Sequence, residues 1–247
     1  MKVIAYDISW ASTNSDILQN IEQTVPSVLK DRNLFINASK TEKYKITNNQ
    51  SNDDWKNCKL VGSRLDTERD IQSRKTLANN AYSKLKPIFK EKHCTHEVKI
   101  KIFASLVESI FLYNSEVWTL TQKLENDIDK FQRRLLRNLM NFRYTEDRKF
   151  WPSNEELYLR TKQVPWSVKI KKRRLSFFGH VCRLPDDTPV KIALQEAKRP
   201  VKKPRGRPKT TYLKQIEKEL KNYNITSYYD ALDIAQDRNL WKTRTQD

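Results

Sequence analysis

Apolar residues recur at three- and four-residue steps over most of this chain, and alternate with polar ones only near its start. Lys2–Trp10 reads as a strand, because Val3, Ile4, Tyr6, Ile8 and Trp10 carry strand-forming side chains. A strand that opens one residue after Met1 leads us to expect further sequence upstream. Ser15–Leu29 predicts a helix with Ile17, Leu18, Ile21, Val25, Val28 and Leu29 on one face, bent or broken at Pro26. Asn33–Ile46 predicts a second strand with turn residues over 37–40. A polar loop, Thr47–Asn57, follows, then a short strand in Lys59–Leu65 that ends at Gly62.

From Asp66 the helical period takes over. Ile71, Ala78, Tyr82, Leu85 and Phe89 line one face, with Pro87 kinking or shortening the last turn. A second helix is expected from His96 to Trp118, and a third from Thr121 to Asn141. The third carries Leu124, Ile128, Phe131, Leu135 and Leu139 on one side and Lys130, Arg133, Arg134 and Arg137 on the other. Three amphipathic helices with short connections predict a small antiparallel bundle. Ser153 with Glu156 fits a capping box. Pro165 and Thr188-Pro189 suit helix starts, Thr210 or Thr211 a further cap, and Ser227 with Asp230 the cap of a last helix reaching Asn239. The expected class is mainly α with a small α+β fragment. Its parts are 1–65, 66–145 and a helical basic extension over 146–247.

Only three glycines among 247 residues agrees with a helical chain, since tight hairpins need glycine. Six Trp, ten Tyr and nine Phe supply core material and argue against general disorder. Cys58, Cys94 and Cys182 are too few and scattered for a disulfide framework, which predicts a reducing, intracellular compartment, nuclear or cytoplasmic. No apolar run suits a bilayer or a secretion signal, so neither a membrane partner nor export is expected.

Charge sharpens the picture. The chain carries a net +18, and the stretch from Val168 to Lys209 holds fourteen Lys and Arg against three acidic residues, which is +11 of it. Its first part, with Lys169, Lys171, Lys172, Arg173 and Arg174, lies on a predicted helix beside Trp166, Phe177 and Phe178. Its second part runs from Arg199 to Lys209, where three prolines and Gly206 forbid a stable helix. A charged helix followed by an extended basic strip suits a polyphosphate partner, RNA or DNA. The helix block reads equally as a solvated face, and its aromatics as core. In the strip, Lys203, Arg205, Arg207 and Lys209 flank Gly206 in the manner of an AT-hook, which reaches into a narrow minor groove. Plain phosphate contact, an import signal and an idle strip are the alternatives.

Ile4-Ala5-Tyr6-Asp7-Ile8-Ser9-Trp10, with Leu34-Phe35-Ile36-Asn37-Ala38-Ser39-Lys40-Thr41-Glu42 after a helix, resembles the late palm of LINE-type (non-LTR) retrotransposon reverse transcriptases. Leu60-Val61-Gly62-Ser63-Arg64-Leu65 looks like their primer-grip turn. Leu112–Trp118, Phe131–Arg137, Arg173–Val181 and Arg205–Thr211 resemble thumb, post-thumb and basic-tail segments, in the family's order. The resemblance implies a partial palm sheet, a three-helix thumb over 66–145 that grips a template–primer duplex, and magnesium in the intact family. It gives Lys40 the place of a palm lysine that assists pyrophosphate departure.

One departure governs the expected activity. The family's catalytic turn, Tyr-Ala-Asp-Asp, offers two adjacent carboxylates, and an earlier strand adds a third. Here Tyr6 is followed directly by Asp7 and Ile8. Two-metal phosphoryl transfer needs several carboxylates around the ions, so Asp7 alone predicts a catalytically inactive fragment that keeps nucleic-acid binding. Two alternatives stay open: an active polymerase completed by a further palm, and a decayed remnant without a selected role. His93-Cys94-Thr95-His96 lacks the paired spacing of a structural zinc site, so no metal and no cofactor is expected, and no small-molecule substrate is evident.

Overall fold

The computed structural model describes residues 9–45, 54–142, 151–198 and 210–246. It is mostly helical with one two-stranded antiparallel sheet, so the mainly α class with a small α+β fragment holds. The chain divides into two compact units, Met1–Asp70 and Ile71–Asp247.

In the first unit, α1 spans Ser15–Lys30, and the Asn14 side chain caps it by accepting from the Asp16 N–H at 2.8 Å. Pro26 sits inside α1 without ending it. The expected strand over Asn33–Ile46 is not formed by its described residues, 33–45; they are irregular around a 3-10 turn at Ala38–Lys40. The reason is local. Asn33 takes the left-handed conformation just past the helix, and the Asn37 side chain accepts from both the Ser39 N–H and its hydroxyl. Such side-chain bonds compete with a strand ladder. β1 (Lys59–Leu60) and β2 (Ser63–Arg64) form the sheet, with Leu60 opposite Ser63. Val61 and Gly62 turn the corner, both at positive φ, which a two-residue hairpin of this hand requires. Ser9 and Trp10 are not in a strand; the rest of the strand expected over Lys2–Trp10 lies outside the described residues. Among the described residues up to Asp70, no apolar side chain is buried, and Phe35 is 77% exposed.

The second unit has two cores. The helices are α2 (Thr67–Lys90), α3 (His96–Phe103), α4 (Ser109–Phe111), α5 (Gln122–Leu139), α6 (Asn154–Thr161) and α7 (Trp166–Cys182). They are followed by α8 (Pro189–Glu196), α9 (Tyr212–Leu220), α10 (Tyr228–Gln236) and α11 (Arg238–Gln246). Thr95, Thr121, Ser153, Thr211 and Ser227 each cap a helix through the side-chain oxygen, which satisfies an amide the helix itself leaves orphaned. Pro87 is carried inside α2, which runs on to Lys90.

Two helices expected to be continuous are not. The one predicted from His96 to Trp118 passes through a π-type segment, Ala104–Glu108, and stops at Phe111. Asn114 then adopts the left-handed conformation. The helix expected to reach Asn239 breaks at Asp237, whose carboxylate accepts from the Asn239 and Leu240 amides and starts α11.

The first core joins α2, α3, α5, α6 and the start of α7. Trp166 stacks on Phe111 at 4.3 Å between centroids and lies near-parallel to Phe103 at 6.1 Å. The second core takes the rest of α7, with α9, α10 and α11. One helix therefore feeds both: Trp166 and Ile170 belong to the first core, Leu175, Phe178 and Cys182 to the second. The first core runs across the boundary expected at 145/146: Leu157 of α6 and Trp166 and Ile170 of α7 share it with residues of α2, α3 and α5.

Candidate nucleic-acid interface

The α7 cations are the leading candidates, and the fold pairs Lys169, Lys171, Arg173 and Arg174 with carboxylates, Arg174 in full burial. α7 begins at Pro165, which has no side-chain cap to give. Its first amides are satisfied from α5 instead: Trp166 N–H donates to Gln132 Oε1 and Ser167 N–H to Asp129, both at 2.9 Å. That docking fixes the helix so that its basic residues meet carboxylates of other elements. Lys169 Nζ donates to both Glu108 oxygens, at 2.6 and 2.8 Å, on the π-type segment. Lys171 donates to Glu125 on α5 at 3.0 Å. Arg173 lies 3.5 Å from a carboxylate oxygen of Glu116. Arg174 has no exposed surface; it donates to Glu219 on α9 and twice to the Trp118 carbonyl.

Arg174 is thereby removed from any phosphate-binding row, and Lys169 and Lys171 are already paired, while Arg173 stays exposed. Glu108, Glu125 and Glu219 are themselves buried, and a buried carboxylate demands a partner. The cations answer that demand, and Arg174 has no path to a phosphate. Lys172 and Arg173 are the exposed members of the block. Trp166 and Phe178 are core residues, and Phe177 packs against the second core. Lys203, Arg205, Arg207 and Lys209 lie outside the described residues, as does Asp7. Lys40 is exposed at the end of its 3-10 turn. Among the described residues no three His, Cys, Asp or Glu side chains gather as metal ligands.

Burial leaves Glu219 with a raised pKa, about 6, against which the Arg174 charge pulls downward. A carboxyl raised above its unfolded value favours folding below that value, and the favour is lost as pH rises. Glu219 thus contributes most below about 4.5, and its contribution fades as pH passes through about 6. In Glu219→Gln that slope should disappear. Melting temperatures measured across this window should show the variant gaining on wild type as pH rises; a constant difference would contradict the assignment.

Ion pairing removes equal numbers of each sign, so the net +18 remains and is displaced to other surfaces. The outward side of α5 is one of them. Lys123, Lys130 and Arg134 are exposed there, and Arg133 is half-buried. A groove of about 490 Å³ runs between α2 and α5, lined by Gln72, Lys75, Asn79, Lys130, Phe131 and Arg134, among others. Arg137 is held in place by the Pro152 carbonyl, the Asn154 side chain and the Trp151 ring. The α5 cations were visible in the sequence; Lys75 was not, because only packing brings α2 against them. No family model, no curated protein and no solved structure matches the chain.

Proposed function

We propose that this chain is a reverse-transcriptase-like fragment of retrotransposon origin that binds nucleic acid and does not polymerise it. The observation that carries the binding half is the exposed cationic side of α5, backed by the groove it shares with α2. A surface of this sign attracts polyphosphate and releases its counterions on contact. The Arg205–Lys209 strip adds to it from the sequence side. The resemblance of the Tyr6-Asp7 and Leu60–Leu65 segments to a palm supports the origin, and the single carboxylate at Asp7 supports the loss of chemistry.

Binding should be strongly salt-dependent. Affinity for a labelled duplex or single strand should fall by more than about tenfold when salt is raised fourfold, as for a handful of phosphate contacts. A flat response would remove the phosphate argument. Primer extension with excess magnesium, run on the same protein, should give no product; incorporation that disappears in Asp7→Ala would establish the polymerase instead. A second reading, a remnant without a selected role, is favoured by one feature. Phe35 and the α1 residues Ile17 and Val28 are exposed in a unit whose described part buries no apolar side chain. A fragment of a larger sheet domain would leave such a face uncovered.

A further inference from the structure

The groove between α2 and α5 has features that a merely solvated helix pair does not need. Its floor is Phe131, 8% exposed and part of the first core. Two cations converge over that ring. The Arg134 guanidinium lies 5.2 Å from the ring centroid and the Lys75 ammonium 6.0 Å from it, one from each helix. Lys75 is half-buried, and its pKa is lowered first by burial and further by the Arg134 charge. Asp127 opposes these effects, but it also lies 4.0 Å from Lys130. Three cations and one carboxylate therefore share the groove. Desolvating one cation beside another costs free energy that an anion would return.

We propose that this groove is a phosphate-binding site for a single nucleic-acid strand, with Lys75, Lys130 and Arg134 as its phosphate contacts and Asn79 facing the sugar or base edge. The proposal rests on the nucleic-acid reading above and narrows it. Size separates a strand from a duplex: about 490 Å³ is the volume of a small-ligand site, with room for roughly one or two nucleotides. Direction favours a chain over an isolated ion. Lys130 and Arg134 stand one helical turn apart, about 6 Å along α5, and Lys123 extends the same face. A run of phosphodiesters can follow such a row, whereas a lone phosphate uses one step of it. Phe131 is too buried to stack with a base, so the site should show little base preference.

The test uses the full chain and a fluorescently labelled oligo-dT strand, with a self-complementary hairpin as the duplex arm and inorganic phosphate as competitor. Lys75→Met with Arg134→Gln keeps side-chain volume near wild type, and circular dichroism checks that helicity is kept. The double variant should bind the strand at least about tenfold more weakly and with a shallower salt slope. Its hairpin affinity should change by less than about threefold, because contacts outside the groove serve the duplex. Should the variant lose helicity, Lys130→Gln, which alters an exposed side chain, is measured in its place and should weaken the strand about threefold. Equal strand affinity in wild type and variant overturns the groove and leaves the nucleic-acid reading standing. Equal losses for strand and hairpin, or displacement by phosphate as effective as by unlabelled strand, also overturn it. Wild-type protein that binds neither nucleic acid overturns both.

Discussion

Arg174→Ala is expected to destabilise the unit Ile71–Asp247 by about 3–5 kcal/mol, the range for removing one partner of a buried ion pair. The guanidinium is wholly buried. Its Nη1 donates to Glu219, and its Nε and Nη2 donate to the Trp118 carbonyl at 3.1 and 2.8 Å. Alanine removes these bonds together and strands a carboxylate and a carbonyl where the two cores meet on α7. The carboxylate has little else to turn to, since Glu219 Oε2 is already buried without a hydrogen-bond partner. Denaturant titration should show a lower midpoint at an unchanged slope. The loss should also be smaller at acid pH. Burial holds the Glu219 pKa near 6, and the protonated acid tolerates an empty neighbour better than the anion does. Arg174→Met combined with Glu219→Leu should recover much of the stability, because a hydrophobic pair needs no compensation there. A single variant within about 0.5 kcal/mol of wild type would show that the guanidinium is not in the interior.

Gly179→Ala should destabilise the same unit by about 2–3 kcal/mol, although helix propensity argues the other way. In a solvated helix, alanine would gain about 1 kcal/mol over glycine. At Gly179 an added Cβ would stand 2.3 Å from Trp241 Nε1 and 2.6 Å from its Cδ1. That indole is itself fixed. It is buried, its N–H donates to the Leu175 carbonyl at 3.0 Å, and its ring lies against Phe178. A rigid bicycle cannot yield as the tip of a lysine can, so α11 must shift or the Leu175 bond must break. The overpacking and hydrogen-bond terms together exceed the propensity gain. In a unit of this size the melting temperature should fall by roughly 5–10 °C. Gly179→Ala in a Trp241→Phe background should cost less than in wild type, because the colliding atoms are gone. A variant that melts higher than wild type would mean that α7 and α11 do not pack as described.

Both expectations concern residues whose role no neighbouring residue announces. Gly179 sits in a run of helix-compatible residues, and only the packing of Trp241 shows why it lacks a side chain. Arg174 belongs to a block of five cations that, read along the chain, has the look of a binding face. Its partner on α9 is 45 residues away, that of Lys171 is 46 away, and that of Lys169 is 61 away. A charge run does not disclose which carboxylates will be brought against it, so its two readings are the same until the helices are packed. The α2–α5 groove was half legible. The α5 cations stood out opposite an apolar stripe, while Lys75 joined them only through the docking of a second helix.

Where one helix begins was set by residues close by in the chain. Thr95, Thr121, Ser153, Thr211 and Ser227 each reach an amide two or three residues on, so the cap is written within a single turn. The strand expected after Asn33 failed because a strand, unlike a cap, needs a partner, and the Asn37 side chain offers its backbone a nearer one. By itself the sequence determined the helical class, most helix starts and the sign of the surface, because propensity, capping and net charge are local or additive. Tertiary structure alone decided which cations face inward and which stay outside, because that depends on where distant buried carboxylates come to rest.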